Sequence, residues 1–322
     1  MTDDDRIANL EHPVKSLVPS GSFSEDILKL FPGGEVYSED KNIFFDGLGV
    51  DSSRWSECDR RGVKNIVGSL DEYIEKLGEF FVTMVNTVKK TGYPLSRLDQ
   101  SRYSRRGQKR IAKKIKDSLG HYYFKSSVMV TPTFDPKKIP VCDAWRCIGE
   151  EVRRLMNTLN AYRERHGFKR RLSYLVVLEI MANGYPHPHI VFPGLKYLVD
   201  HKILVRMWKY GTIDVEFLGG VGIASYACKY ISKFGLNKVQ MAMMRFFKLR
   251  LYHLSRHFKY QGVVKDPGWS IYMYEDQDGR LHPWVGSFES YLSIKREYSE
   301  MGYSMSGDSL KDYILKSDIL FS

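Results

Sequence analysis

The chain has 322 residues, 43% of them hydrophobic and 27% charged, which is ordinary globular composition and excludes a fibrous or disordered chain. The length allows about two domains. A formal net charge of +11 favours partners with repeated negative charge, nucleic acid first and anionic membrane second.

No run of about 18 apolar residues occurs, so no membrane-spanning helix is expected. The opening MTDDDRIANLEHP is acidic and has no apolar stretch, so it does not read as a signal peptide. Cys58, Cys142, Cys147 and Cys228 form no Cys-x-x-Cys pair. A zinc knuckle, a redox motif and a disulfide framework are therefore not expected, and the compartment reads as a reducing cytoplasm.

Residues 1 to about 60 are rich in Gly, Ser and Asp and read as an arm with short elements at best. The stretch 69–90 predicts a helix. Ser69 stands as its N-cap with Glu72 at the capping-box position, and Leu70, Tyr73, Ile74, Leu77, Phe80, Phe81, Met84 and Val88 follow a 3.6-residue period. The most basic segment follows at 96–120, with Arg105, Arg106, Lys109, Arg110 and Lys113 among its cations and a helical seam of Ile111, Ile115 and Leu119. Two readings fit such a run: a solvated face, or a helix that tracks phosphates and gains by counterion release.

From 125 onward the elements alternate. SSVMVTPTF (126–134) predicts a strand, and 142–165 predicts a long amphipathic helix. LSYLVVLEI (172–180) and HPHIVF (187–192) predict two strands joined by the turn MANGYP. A helix over about 195–208, a strand at 212–218 and a helix at 222–234 follow. A further helix is expected within 241–259, then a Trp/Tyr-rich strand–turn region with a turn at Gln277-Asp278-Gly279, then polar, aromatic helices. This order predicts an α+β fold, a central antiparallel sheet with flanking helices and mostly helical N- and C-terminal additions. The expected divisions are an arm and basic helical region at 1–120, a core at 121–240 and a helical, aromatic extension at 241–322.

Two clusters carry chemistry. On a strand His187 and His189 share one face. With Asn183-Gly184 in a hairpin turn, Glu179 of the preceding strand can come beside them. Two imidazoles and a carboxylate suit one divalent metal ion with positions left for water and a phosphate oxygen. An isolated His-x-His is more often structural, so the pair gains weight only from its company. That company is YACKYISK, 226–233, which repeats Tyr-x-x-Lys. Read alone it is an aromatic stripe with solvated amines. Tyr226 and Tyr230 lie on one helical face at i and i+4, with Lys229 and Lys233 alongside.

A His–Pro–His strand followed by helix, strand and a Tyr-x-x-Lys helix resembles the HUH endonucleases. The tandem motif is closest to their two-tyrosine rolling-circle replication initiators, found in phages, plasmids and archaeal elements. VMVTPTF resembles the first motif of that family, and LSRHFK (254–259), with Arg256, resembles a Ser-Arg segment that often follows the tyrosine helix. The resemblance spans about 125–260 and implies an HUH, ferredoxin-like nuclease core. It implies that His187, His189 and Glu179 ligate Mg²⁺ or Mn²⁺, that Tyr226 and Tyr230 are nucleophiles, and that Lys229 and Lys233 contact phosphate or assist proton movement. The activity implied is nicking of single-stranded origin DNA through a 5′-phosphotyrosine, leaving a free 3′-OH. DNA contacts are expected from Arg105, Arg106, Lys109, Arg110, Lys113 and Arg256. No Walker A loop occurs, so a host helicase and polymerase are the expected partners, in the cytoplasm of a prokaryotic host. Two other readings stay open: a two-tyrosine transposase, although such enzymes commonly carry a cysteine zinc module, and a non-catalytic nucleic-acid-binding protein on the same fold. A zinc hydrolase with an accidental tyrosine pair is a further one.

Overall fold

The computed structural model describes residues 43–119, 123–168, 171–219, 221–222, 225–226, 237–256 and 268–308. A short helix α1 (Ile43–Gly47) leads into α2 (Glu57–Glu79). The helix starts at Ser56, whose hydroxyl accepts from the Asp59 N–H at 3.0 Å, and not at Ser69. It also stops short of residue 90. Residues 80–90 fold instead into strand β1 (Phe81–Asn86), which turns through Lys90 (φ 48°) into β2 (Thr91–Ser96). Phe81, Met84 and Val88 fit a helical period, but the run FFVTMV is aromatic and β-branched, and pairing on both sides settles it as a strand.

Helices α3 (Arg97–Gln100) and α4 (Arg105–Leu119) follow, then β3 (Tyr123–Phe124) and β4 (Ser127–Pro132). Next come α5 (Val141–Arg165), β5 (Leu175–Ile180) and β6 (Pro186–Pro193), all close to their predicted places. The helix expected over 195–208 is shorter, α6 (His201–Met207). Leu198 and Val199 bury their side chains ahead of it, and the Leu198 carbonyl accepts from Arg163 Nη1 at 2.8 Å. Strands β7 (Ile213–Leu218) and β8 (Val221–Gly222) complete this stretch. Of the helix expected at 222–234, only residues 225–226 are described, and they are helical.

The helix expected within 241–259 is another correction. Helix α7 (Lys238–Phe246) is capped by Asn237, whose side chain accepts from the Val239 N–H at 2.8 Å. The chain then turns through Lys248 (φ 54°) and runs as strand β9 (Tyr252–Leu254), because the open edge of β5 offers it a ladder. Strands β10 (Trp269–Ile271), β11 (Met273–Glu275) and β12 (Leu281–Pro283), helix α8 (Phe288–Glu300) and strand β13 (Ser304–Met305) end the described chain.

The architecture is α+β. One five-stranded antiparallel sheet, ordered β7-β4-β6-β5-β9, holds the main core together with α2, α5 and α7. A second sheet, β10-β1-β2-β13, draws strands from both terminal additions and covers a smaller core of Phe81, Phe288, Tyr291 and Met305. Its β13–β2 pair is parallel.

The β5–β6 turn is clamped from outside. Trp55 Nε1 donates to the Asn183 carbonyl and Trp145 Nε1 to the Gly184 carbonyl, each at 2.8 Å. Gly184 has φ +82°, and a Cβ there would lie 2.0 Å from Trp55 Cζ2. Gly184→Ala is expected to lower stability by about 2–4 kcal/mol, combining left-handed strain with overpacking. Urea denaturation checks this, and an unchanged midpoint would contradict it.

Candidate active site

The β5–β6 register places Glu179 opposite His187 and Val177 opposite His189. Partners across an antiparallel ladder share a face, and so do alternate residues along a strand, so Glu179, His187 and His189 meet on one face. Glu179 Oε2 reaches diagonally to His189 Nε2 at 3.0 Å. On the other side, Thr131 of β4 lies one step beyond the paired Val130 and Ile190, and its Oγ1 is 3.3 Å from His189 Nδ1. A carboxylate only accepts, so in this arrangement Nε2 carries the imidazole proton and the threonine hydroxyl donates to Nδ1. Both ring nitrogens of His189 are thus held by neighbours, and the residue is 8% exposed.

His187 is different. Its ring stands edge-on to that of His189, with centroids 4.6 Å apart. Its Nδ1 is buried and has no hydrogen-bond partner. Burial, helped by the neighbouring His189, pushes its pKa down to about 4, against a smaller opposing pull from Glu179 and Asp214. The imidazole is therefore neutral at pH 7, the form that ligates metals. Asp214 is exposed on β7 and pairs with Thr131, which puts it on the same face.

The chemistry of this donor set suits a divalent cation, and the orphaned buried Nδ1 marks a lone pair or N–H that the protein leaves unmet. As the side chains stand, however, no group of three or more His, Cys, Asp or Glu among the described residues is arranged to hold a metal ion. The Glu179–His189 hydrogen bond accounts for this locally. His189 Nε2 cannot ligate while it donates to Glu179, so the carboxylate must turn away and the proton must leave before both can face one ion.

Tyr226 reaches the same face from its helix. It is 8% exposed, and its hydroxyl donates to the Met129 sulfur. Met129 lies two residues before Thr131 on β4, so the phenol and the histidine pair address one side of the sheet. Tyr230, Lys229 and Lys233 lie outside the described residues. The basic residues Arg105, Arg106, Lys109, Arg110 and Lys113 are exposed on α4, away from this constellation in sequence and in sheet, and Arg256 is exposed just past β9.

Thr131 and Asp214 had no role assigned from the sequence. Thr131 sits in the quoted VMVTPTF strand, and strand alternation alone cannot show which side chain will meet His189. Thr131→Val removes the hydroxyl while keeping the shape, which leaves His189 Nδ1 buried without its partner. The expected loss is about 1–3 kcal/mol, read from chemical denaturation. A change within a few tenths would mean the contact does not hold the ring.

Residues 127–235 match the family of the replication-associated protein ORF2. The match covers about a third of the chain, from β4 through β7 to the tyrosine segment, and includes the histidine strand, Glu179 and the tandem tyrosines. No curated protein and no solved structure matches the chain. The class that fold and match together support is a replication-associated, Rep-type protein. Within that class the similarity is to the ORF2 group, and it leaves α4, the second sheet and β9 outside. No helix among the described residues is long and apolar enough to cross a membrane.

Proposed function

We propose that the protein initiates rolling-circle replication by nicking one strand of its origin and keeping the 5′ end as a phosphotyrosine. The observation that carries this reading is the approach of the Tyr226 phenol, through Met129, to the sheet face that holds His187, His189 and Glu179. His187, His189 and Glu179 would hold Mg²⁺ or Mn²⁺, which when bound polarises the scissile phosphoryl group and offsets charge on its oxygens.

The remaining chemistry belongs to the chain. A phenol with an ordinary pKa near 10 is a poor nucleophile at neutral pH. The Lys229 and Lys233 ammonium groups, one helical turn apart, favour its phenolate form and contact phosphate. The phenolate oxygen of Tyr226 or Tyr230 bonds to phosphorus, the bond from phosphorus to the 3′ oxygen breaks, and that oxygen takes a proton to become the free 3′-OH. The phosphodiester energy is kept in the tyrosyl ester, so the strand can be rejoined without ATP. Two tyrosines on one face let one open the cycle and the other receive the newly made origin. Single-stranded origin DNA is then the substrate, and a host polymerase and helicase extend and unwind.

The test is incubation with single-stranded oligonucleotides tiling the origin region in Mn²⁺, followed by mass spectrometry of peptide–DNA adducts. An adduct on Tyr226 or Tyr230 is the expected result. Cleavage with no linked tyrosine would turn the reading toward simple hydrolysis.

A further inference from the structure

Helix α4 lies outside the matched region, and none of its residues belongs to the histidine face. At 3.6 residues per turn, exposed Arg105, Arg106, Lys109, Arg110, Lys113 and Lys116 fall within an arc of about 140°. Buried Gly107 and Gln108 and half-buried Ile111 and Ala112 take the opposite side, against the protein. From Arg105 to Lys116 the cationic face is about 16 Å long. Asp117 is the one carboxylate in the helix. Arg106 pairs with Asp99 at 3.1 Å, while Arg105, Lys109, Lys113 and Lys116 make no ion pair with another described residue.

The start of the helix is rigidly seated. Ser104 Oγ accepts from the Gly107 N–H at 2.9 Å, and Gln108 Nε2 donates to the Arg102 carbonyl at 3.3 Å. A Cβ on Gly107 would lie 1.5 Å from the Ser101 carbonyl oxygen, so only glycine lets the helix pack this close. Arg102 Nη1 in turn donates to the Leu249 carbonyl at 3.3 Å, bringing the turn before α4 beside exposed Lys248 and Arg250.

We propose that α4 is a binding element for double-stranded DNA, lying in the major groove with its two cationic flanks against the phosphate rows on either side. The B-form major groove is about 12 Å wide and admits one α-helix. The residues of α4 exclude the competing anions. Arg105–Leu119 contains no aromatic residue, so it offers no platform on which single-stranded bases could stack. Its apolar side faces the protein, so it has no apolar face to sink into a lipid surface. The major groove of duplex RNA is too deep and narrow for side-chain reading. The protein therefore grips duplex beside the site that takes a single strand, and this holds whether or not Tyr226 is a nucleophile.

Fluorescence anisotropy with a labelled 20-base-pair DNA duplex, titrated at several salt concentrations, tests it. Each phosphate contact contributes about 0.9 to the slope of log affinity against log salt. The Lys109→Gln, Lys113→Gln, Arg105→Gln triple variant of the full chain is expected to flatten that slope by about 2.7, and Lys113→Gln alone by about 0.9. Affinity for the single strand of the same sequence should change less than affinity for the duplex. Thermal melting confirms that each variant is folded, and the single variant decides the matter should the triple one fail to fold. An unchanged duplex slope overturns the proposal. So does an equal loss for single strand and duplex, or tighter binding of the parent protein to anionic phospholipid vesicles than to the duplex.

Discussion

The double variant Tyr226→Phe, Tyr230→Phe is expected to form no covalent 5′-DNA adduct while still binding single-stranded DNA. The substitution removes only the oxygen that would bond to phosphorus. At Tyr226 the ring keeps its buried position, and the lost hydrogen bond goes to a thioether, a weak acceptor, so folding should be little affected. The chemical effect is all-or-none, because phenylalanine has no nucleophile to offer. Either single variant should still form an adduct on the remaining tyrosine but should fail to complete a second strand transfer. Denaturing gels with labelled oligonucleotide read the adduct, and mass spectrometry locates it. Adducts persisting in the double variant would remove both tyrosines from the reaction.

The second large effect is expected at His187. Its neutral ring, with a buried nitrogen that lacks a protein partner, is the member of the cluster best prepared to ligate. His187→Ala is expected to lower Mn²⁺-dependent cleavage by about 10³-fold, which corresponds to several kcal/mol of lost transition-state stabilisation. Mn²⁺ affinity, followed by calorimetry, should fall in parallel. The variant should remain folded, because removing an unpartnered polar ring leaves no hydrogen bond broken at its Nδ1. Undiminished cleavage in Mg²⁺ or Mn²⁺ would exclude His187 as a ligand. Comparing the Mn²⁺ affinities of His187→Ala and Glu179→Gln shows which of the two side chains does more to hold the ion.

Strand alternation carried the sequence reading furthest. The hairpin from Leu175 to Pro193 folds as its pattern demands, with Glu179 directly across from His187. What alternation could not give is the diagonal preference of Glu179 for His189, or the arrival of Thr131 on the far side. Those contacts depend on how β4 is registered against β6, which is set about 60 residues away in sequence. The misplaced helices have a common cause. Phe80–Val88, Leu195–Val199 and Leu251–Leu254 are apolar runs whose spacing satisfies more than one period, and partners elsewhere in the chain decide among them. The basic segment 105–116 was legible as a charged helix, yet its seat on Ser101 is a backbone contact that no side-chain pattern announces.

The second sheet has a topological consequence. Met84 of β1 pairs with Ile271 of β10, so the residues between them, including the whole five-stranded sheet, form one loop closed by that ladder. In an unfolded chain, closing a loop of that length costs about 5 kcal/mol of entropy. Once the five-stranded sheet has formed, the two points where the chain leaves it are already fixed in space, and most of that entropy is gone. The five-stranded core is in this sense an insert within a discontinuous outer module, and it acts as the template on which the two distant halves of that module find each other.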